Sequence, residues 1–144
     1  MTQFYQGYKV LDMKPDELII KITVPKSRED EIIKLYKVSA RRDLDISCVN
    51  AAISMVSNGD VIEEIRLAYG GIGPVVKRLS DTEAFLTGRV ISRKTFNEAA
   101  ELIADEITPI SDVRGSEQFR YRLAKNLLKC FYVDVMLDQK VVAK

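Results

Sequence analysis

The stretch SCVNAAISMVSNGDVIEEIRLAY, Ser47 to Tyr69, limits what this chain can fold into more than any other. Two alternating runs flank SNGD, and Asn58-Gly59 is a pair that tolerates the positive φ of a two-residue hairpin turn. Val49, Ala51, Ile53 and Met55 share one face of the first run, and Val61, Ile65, Leu67 and Tyr69 largely share one face of the second. The spacing predicts an antiparallel hairpin with one buried face. Upstream, ELIIKITVP (Glu17 to Pro25) reads as a strand ended by proline. Leu18, Ile20, Ile22 and Val24 would share one face, with Glu17, Ile19, Lys21 and Thr23 on the other. Ile19 is then the lone large apolar residue on a polar face, either an ordinary surface isoleucine or a contact for a ligand or neighbouring domain. EIIKLYKV reads as a further strand with weaker alternation.

From Ser80 the hydrophobic period changes from two to about 3.6. SDTEAFLTG has Ser80 three residues before Glu83, a capping-box spacing, and Gly88 as a stop. TFNEAAELIADEI places Phe96, Ala99, Ala100, Ile103 and Ile107 on one helical face. After Gly115, Ser116 can cap a long helix with a stripe of Phe119, Leu123, Leu127, Cys130 and Phe131. Cys130 in that stripe is read as a small buried hydrophobe, and Cys48 as partly buried or in a second interface. Strands first and helices second mean an α+β fold: an antiparallel sheet from the N-terminal half, with the helices packed on one face.

Composition removes whole classes of function. Lys and Arg total 22 against 21 Asp and Glu, a balance unlike that of a generic polyanion binder, so no nucleic-acid partner is expected. There is no histidine, and the two cysteines are far apart, so neither a histidine base nor a zinc site is expected. No apolar run reaches the length of a membrane span and no secretory signal is visible. The expected setting is reducing and cytoplasmic. GGIGP, Gly70 to Pro74, lacks the third glycine of a dinucleotide fingerprint, and Pro74 removes a donor; it reads as a tight turn leaving the sheet.

Between two strand-like segments lies YKVSARRDLDIS, with Lys37, Arg41 and Arg42 against Asp43 and Asp45. Taken alone, such a loop is a solvated turn with surface ion pairs. Its order relative to the other motifs carries more. An aromatic-x-Gly-Tyr start, Arg-Arg followed by Asp-Ile, Tyr-Gly-Gly and Ser-Asp-x-Arg run through the chain from about Phe4 to Tyr132. In that order and spacing the sequence resembles the C-terminal part of the flavoprotein component of the molybdenum hydroxylases, the CO dehydrogenase flavoprotein C-terminal type, and within that group the xanthine dehydrogenases.

The resemblance implies a role beside FAD in an oxidoreductase whose electrons pass from a molybdenum–pterin centre through iron–sulfur clusters to FAD, then to NAD or another acceptor. Residues 1–31 would end the FAD-binding domain, and residues 32–144 would form the C-terminal domain that closes over the flavin. Ile19 and Lys37 would contact FAD. Arg41, Arg42, Asp43 and Asp45 would form an acceptor-side gate. Leu44 departs from an acidic residue found in some members. Glycine-rich pyrophosphate loops, cluster cysteines and a molybdenum domain are absent from this sequence, so the molybdenum–pterin and iron–sulfur groups would belong to partner domains. The isolated chain is expected to be inactive, to carry no FAD, and to pair with itself through the surface around Ile19. A non-catalytic module that docks the other subunits, and a stand-alone small-ligand domain, are the alternative readings.

Overall fold

A computed structural model of the chain describes residues 4–41 and 46–142, with side chains through residue 138. A short hairpin, β1 (Tyr5–Gly7) and β2 (Val10–Leu11), comes first. A four-stranded antiparallel sheet follows: β3 (Glu31–Val38), β4 (Val49–Asn58), β5 (Val61–Gly70) and β6 (Lys77–Arg78), in that spatial order. Helices α1 (Ser80–Leu86), α2 (Arg93–Glu106) and α3 (Glu117–Val142) complete the described chain. The α+β architecture matches the expectation from the sequence.

The alternation in β4 sets the layers. Val49, Ala51, Ile53 and Met55 are buried, and with Ile65, Leu67 and Tyr69 of β5 they meet Phe96, Ile103, Ala124, Leu128 and Phe131 of α2 and α3. The hairpin turn lies one residue later than the sequence implies. Asn58 pairs with Val61, so Gly59-Asp60 forms the loop and Gly59 alone takes positive φ, at 58°. Between Val56↔Glu64 and Ser57↔Ile62 the register shifts, an extra β5 residue that makes a bulge. The bulge moves Ile62 into the core and leaves Val61 exposed.

Two further local expectations need correction. Residues 17–25 form no strand; Ile20 is 89% and Val24 81% exposed. A strand needs a neighbour to hydrogen-bond to, and no described strand runs alongside this segment. The capping box at α1 does not form: the N-cap is Leu79, with no side-chain cap. Glu83 instead accepts from the Leu67 amide and from Arg78, each at 2.6 Å, tying the helix to the sheet. The first-turn amides of Asp81 and Thr82 donate to Glu106, which arrives from the end of α2, at 3.0 and 2.8 Å. Gly88 does end the helix region, with φ at +78° and its amide bonded to Ile62.

The buried positions of α3 are Ala124, Leu127, Leu128, Phe131 and Val135, with Arg120 in phase. Phe119 and Cys130 lie on the neighbouring face and are exposed, whereas Cys48 is fully buried. Both faces of this helix carry apolar residues, so periodicity alone did not distinguish the one against the sheet. Ser116 caps α3 as expected, accepting from the Phe119 amide at 3.2 Å. Tyr36 of β3 donates to Asp134 at 2.6 Å, fixing the helix over the edge strand. Burial, reinforced by Asp134, raises the Tyr36 phenol well above its ordinary range.

Glu106 is buried and also accepts from the Thr82 hydroxyl, so one carboxylate serves three donors. Glu106→Ala leaves those donors buried without partners. It should lower unfolding free energy by about 2–3 kcal/mol. Urea titration followed by circular dichroism measures the loss. A change below about 0.5 kcal/mol would show that water replaces the carboxylate at no cost.

Candidate functional site

Side chains that alternate away from the helices form the other face of the sheet. Cross-strand register puts Lys37, Asn50 and Gly70 in one row, Leu35, Ala52, Ala68 and Arg78 in the next, and Ile33, Ser54 and Arg66 in the third. Leu35 and Ile33 are exposed, and the positions between them and the far edge are small. The result is a flat, weakly polar surface with cations at its margins. Leu35, Lys37, Asn50 and Ala52 on it are exposed, and it suits a planar group more than a compact one.

At one end this surface runs into a hollow of about 510 Å³. Tyr5, Tyr8 and Leu11 of the N-terminal hairpin line one side; Ile46, Asn50, Gly70 and Gly71 line another. Glycine fits closely at position 70 and is required at position 71. A Cβ on Gly70 would fall 2.5 Å from Asn50 Oδ1, so the asparagine side chain occupies that space. Gly71 has φ at +81°, and a Cβ there would sit 2.3 Å from the Cys48 carbonyl oxygen. The GGIGP stretch is the tight turn expected, and it also forms part of a wall.

Lys37 projects from the open face at the row nearest this hollow. Its side chain has no hydrogen-bond or ion-pair partner among the described residues. Ile19, 54% exposed, lines a separate cleft of about 290 Å³ with Phe4, Lys21, Ile22 and Thr23. Arg41 lines a third hollow of about 300 Å³ with Ala40, Ile46, Cys48, Val113 and Arg114. Arg42, Asp43, Leu44 and Asp45 lie outside the described residues. Of the candidates among the described residues, Ile19 and Arg41 line separate hollows and Lys37 lies in the strand row beside a third, so they do not share one pocket. Ile46 joins two of them.

One residue behind these hollows was not singled out from the sequence. Arg120, 4% exposed, donates through Nη1 to the carbonyls of Cys48 and Gly71, and through Nη2 to Asp112 Oδ1 at 2.6 Å. Its Nε has no hydrogen-bond partner among the described residues. Asp112 also accepts from the Arg114 amide at 2.9 Å. That amide, and then the Arg120 guanidinium, hold its carboxyl below the usual carboxylate range. Thus the Ser-Asp-x-Arg stretch, the Tyr-Gly-Gly turn and the end of the charged loop meet at one guanidinium. An arginine in phase with the buried positions of α3 was the available signal.

Among the described residues no group of three or more Cys, Asp or Glu side chains could hold a metal ion, and no helix is long and apolar enough to cross a membrane. Residues 34–135 match the CO dehydrogenase flavoprotein C-terminal domain family. The chain belongs to this family. It is 34% identical over 143 residues to a xanthine dehydrogenase of Blastobotrys adeninivorans, covering 94% of this chain and 10% of the relative. Aldehyde oxidase 2 of Mus musculus is 30% identical over 144 residues, covering 98% of this chain and 11% of the relative. The chain thus spans about a tenth of the length of the curated relatives it matches. The fold is shared with a carbon monoxide dehydrogenase chain of Hydrogenophaga pseudoflava at a TM-score of 0.83 and 22% identity, over 89% of this chain and 44% of that one. The expected family is confirmed.

The depressed Asp112 pKa has a sign. The folded value lies below the unfolded one, so its stabilisation is present above the unfolded carboxylate range, about pH 4, and is lost as pH falls through the folded value. Asp112→Asn should therefore be less stable than wild type at pH 7, with the gap closing on acidification towards about pH 2. Parallel urea midpoints at both pH values test this. A gap that stays constant with pH would mean that the carboxylate charge contributes nothing.

Proposed function

We propose that this chain forms the C-terminal part of the flavoprotein component of a molybdenum hydroxylase, with the open sheet face closing over FAD. The carrying observation is the flat row of Lys37, Asn50 and Gly70 beside the hollow of about 510 Å³, on a fold of this family. FAD, when bound, accepts electrons from other centres and passes them to NAD or another acceptor. The donor set fits one side of such a group. Small residues admit a ring plane, and Lys37 supplies a cation for the ring edge where reduction builds negative charge. A phosphate cradle is not built into this face: Pro74 lacks a donor, and the Asn50 side chain fills the space beside Gly70. The remaining contacts for FAD would come from a preceding domain.

On this reading residues 1–31 end that FAD-binding domain and residues 32–144 form the closing domain. The exposed run Leu18, Ile20, Ile22 and Val24 supports the division, since an alternating segment without a ladder is suited to a sheet outside the described fold. Ile19 would pack on the cofactor. Arg41, Arg42, Asp43 and Asp45 would form the acceptor-side gate, with charge pairs that rearrange as an acceptor enters. The same exposed run also favours a second reading, a module that docks the other subunits without touching FAD.

A redox titration separates the two. Lys37 next to the flavin edge favours the reduced, anionic ring over the oxidised one, a differential interaction that appears in potential rather than in occupancy. In the complete flavoprotein, Lys37→Ala should lower the flavin midpoint by about 20–40 mV, the equivalent of roughly 1–2 kcal/mol after solvent screening for a two-electron couple. An unchanged midpoint with full FAD loading would leave only the docking reading.

A further inference from the structure

Helix α3 carries two apolar stripes, and only one of them meets the sheet. The buried stripe is Ala124, Leu127, Leu128, Phe131 and Val135. The second is Phe119, Leu123, Asn126, Cys130, Val133 and Leu137, spaced four, three, four, three and four residues apart. Strict alternation of fours and threes is a heptad seam, the spacing with which one helix packs along another. Leu123 is half-buried, but Phe119, Val133 and Leu137 are 44%, 47% and 54% exposed, and Asn126 and Cys130 are exposed too. The fold itself uses only the flanks of this seam. On one side Lys125 and Lys129 reach Glu101 of α2. On the other Asp134 accepts from Tyr36 and Asp138 pairs with Lys34, both of β3. In the seam, Asn126, Lys129, Cys130, Val133 and Asp134 surround a hollow of about 330 Å³, a hole suited to a side chain of a facing helix.

We propose that this seam pairs two copies of the chain through a parallel, in-register pair of α3 helices. Charge on the flanks selects the partner and its direction. One flank is basic, with Arg122 and Lys129, and the other acidic, with Asp134 and Asp138. A two-fold axis along the helices brings the basic flank of each copy to the acidic flank of the other, with Lys129 opposite Asp134 of the second copy, five positions on. An antiparallel pair would set Arg122 and Lys129 against the same cations. In register, Cys130 faces Cys130, and Asn126 faces Asn126, whose amides each donate and accept across the axis. The seam runs along about 27 Å of helix, which places it with small, reversible interfaces under roughly 1,200 Å². It belongs to the helical layer and leaves the open sheet face of both copies free, so the pairing does not depend on the FAD reading.

Sedimentation equilibrium of the full chain, from about 10 μM to about 1 mM, should show a monomer–dimer equilibrium. Val133→Glu puts an acid in the seam at an exposed position. It should weaken the dimer at least about 10-fold while leaving the urea midpoint unchanged. Lys129→Glu should weaken it as well, by facing Asp134 of the second copy; in an antiparallel pair the same change would relieve repulsion and strengthen it. Register is read by cross-linking. With copper–phenanthroline as the oxidant taking two electrons from two thiols, the wild-type dimer should join through Cys130, since Cys48 is buried. Cys130→Ser should abolish the cross-link, and Leu137→Cys in that background should restore it, because only a parallel, in-register pair sets position 137 against itself. A chain still monomeric at about 1 mM would overturn the proposal. So would a dimer that survives Val133→Glu but is lost in Ile19→Glu, which would place the contact at the N-terminal segment. A stronger Lys129→Glu dimer, or no cross-link through Leu137→Cys, would overturn the parallel pairing. The assays need no flavin, so their failure removes the α3 pairing alone, and an unchanged flavin midpoint in Lys37→Ala removes the functional reading alone.

Discussion

Strand alternation in β4 is the constraint on which the rest of this structure depends. Successive side chains point to opposite faces, so burying Val49, Ala51, Ile53 and Met55 beneath the helices places Asn50, Ala52 and Ser54 on the other side. A shift of one residue would exchange the two sets. The bulge at Val56–Ser57 and the Gly59 turn keep β5 in phase with that choice. All three helices then go to one face, because that face carries the continuous row of large apolar side chains from Val49 to Met55 and Ile65 to Tyr69. The open face is a consequence of the core.

The ends of the sheet are organised by charge rather than by apolar burial. Glu106 closes the N-terminus of α1, Glu83 ties that helix to β5 and β6, and Arg120 joins Cys48 to Gly71. Each is a charged group accepting or donating several hydrogen bonds where backbone polar groups lack regular partners. These contacts place the glycine turn and the loop end relative to the open face. They explain why the motifs most distinctive in the sequence lie at turns.

The hairpin and the N-cap of α3 were legible in the sequence because each depends on spacing within one short segment, and the α+β class because strand-like and helical periods occupy separate halves. What depends on a distant partner was not. The Ser80–Glu83 spacing fits a capping box, but Arg78 and the Leu67 amide take Glu83 first. The run Glu17–Pro25 alternates as a strand does, yet alternation supplies no neighbour to pair with. Cys130 fell on the exposed side because α3 has two apolar faces and only packing separates them. For the candidate site, Lys37 was correctly assigned to a strand end, while its face became clear only from the register with Asn50. Arg120 was missed because its role is a meeting of three segments remote in sequence.

Hydroxyl-radical footprinting of the chain, alone and joined to the proposed FAD-binding domain with FAD present, reads whether the open sheet face takes a covering partner. Ile33, Leu35 and Ile20 should be protected on joining, with Val133 and Leu137 on the exposed side of α3 labelled as before. Protection of Val133 and Leu137 with Ile33 and Leu35 unchanged would place the partner on the helical side and contradict it.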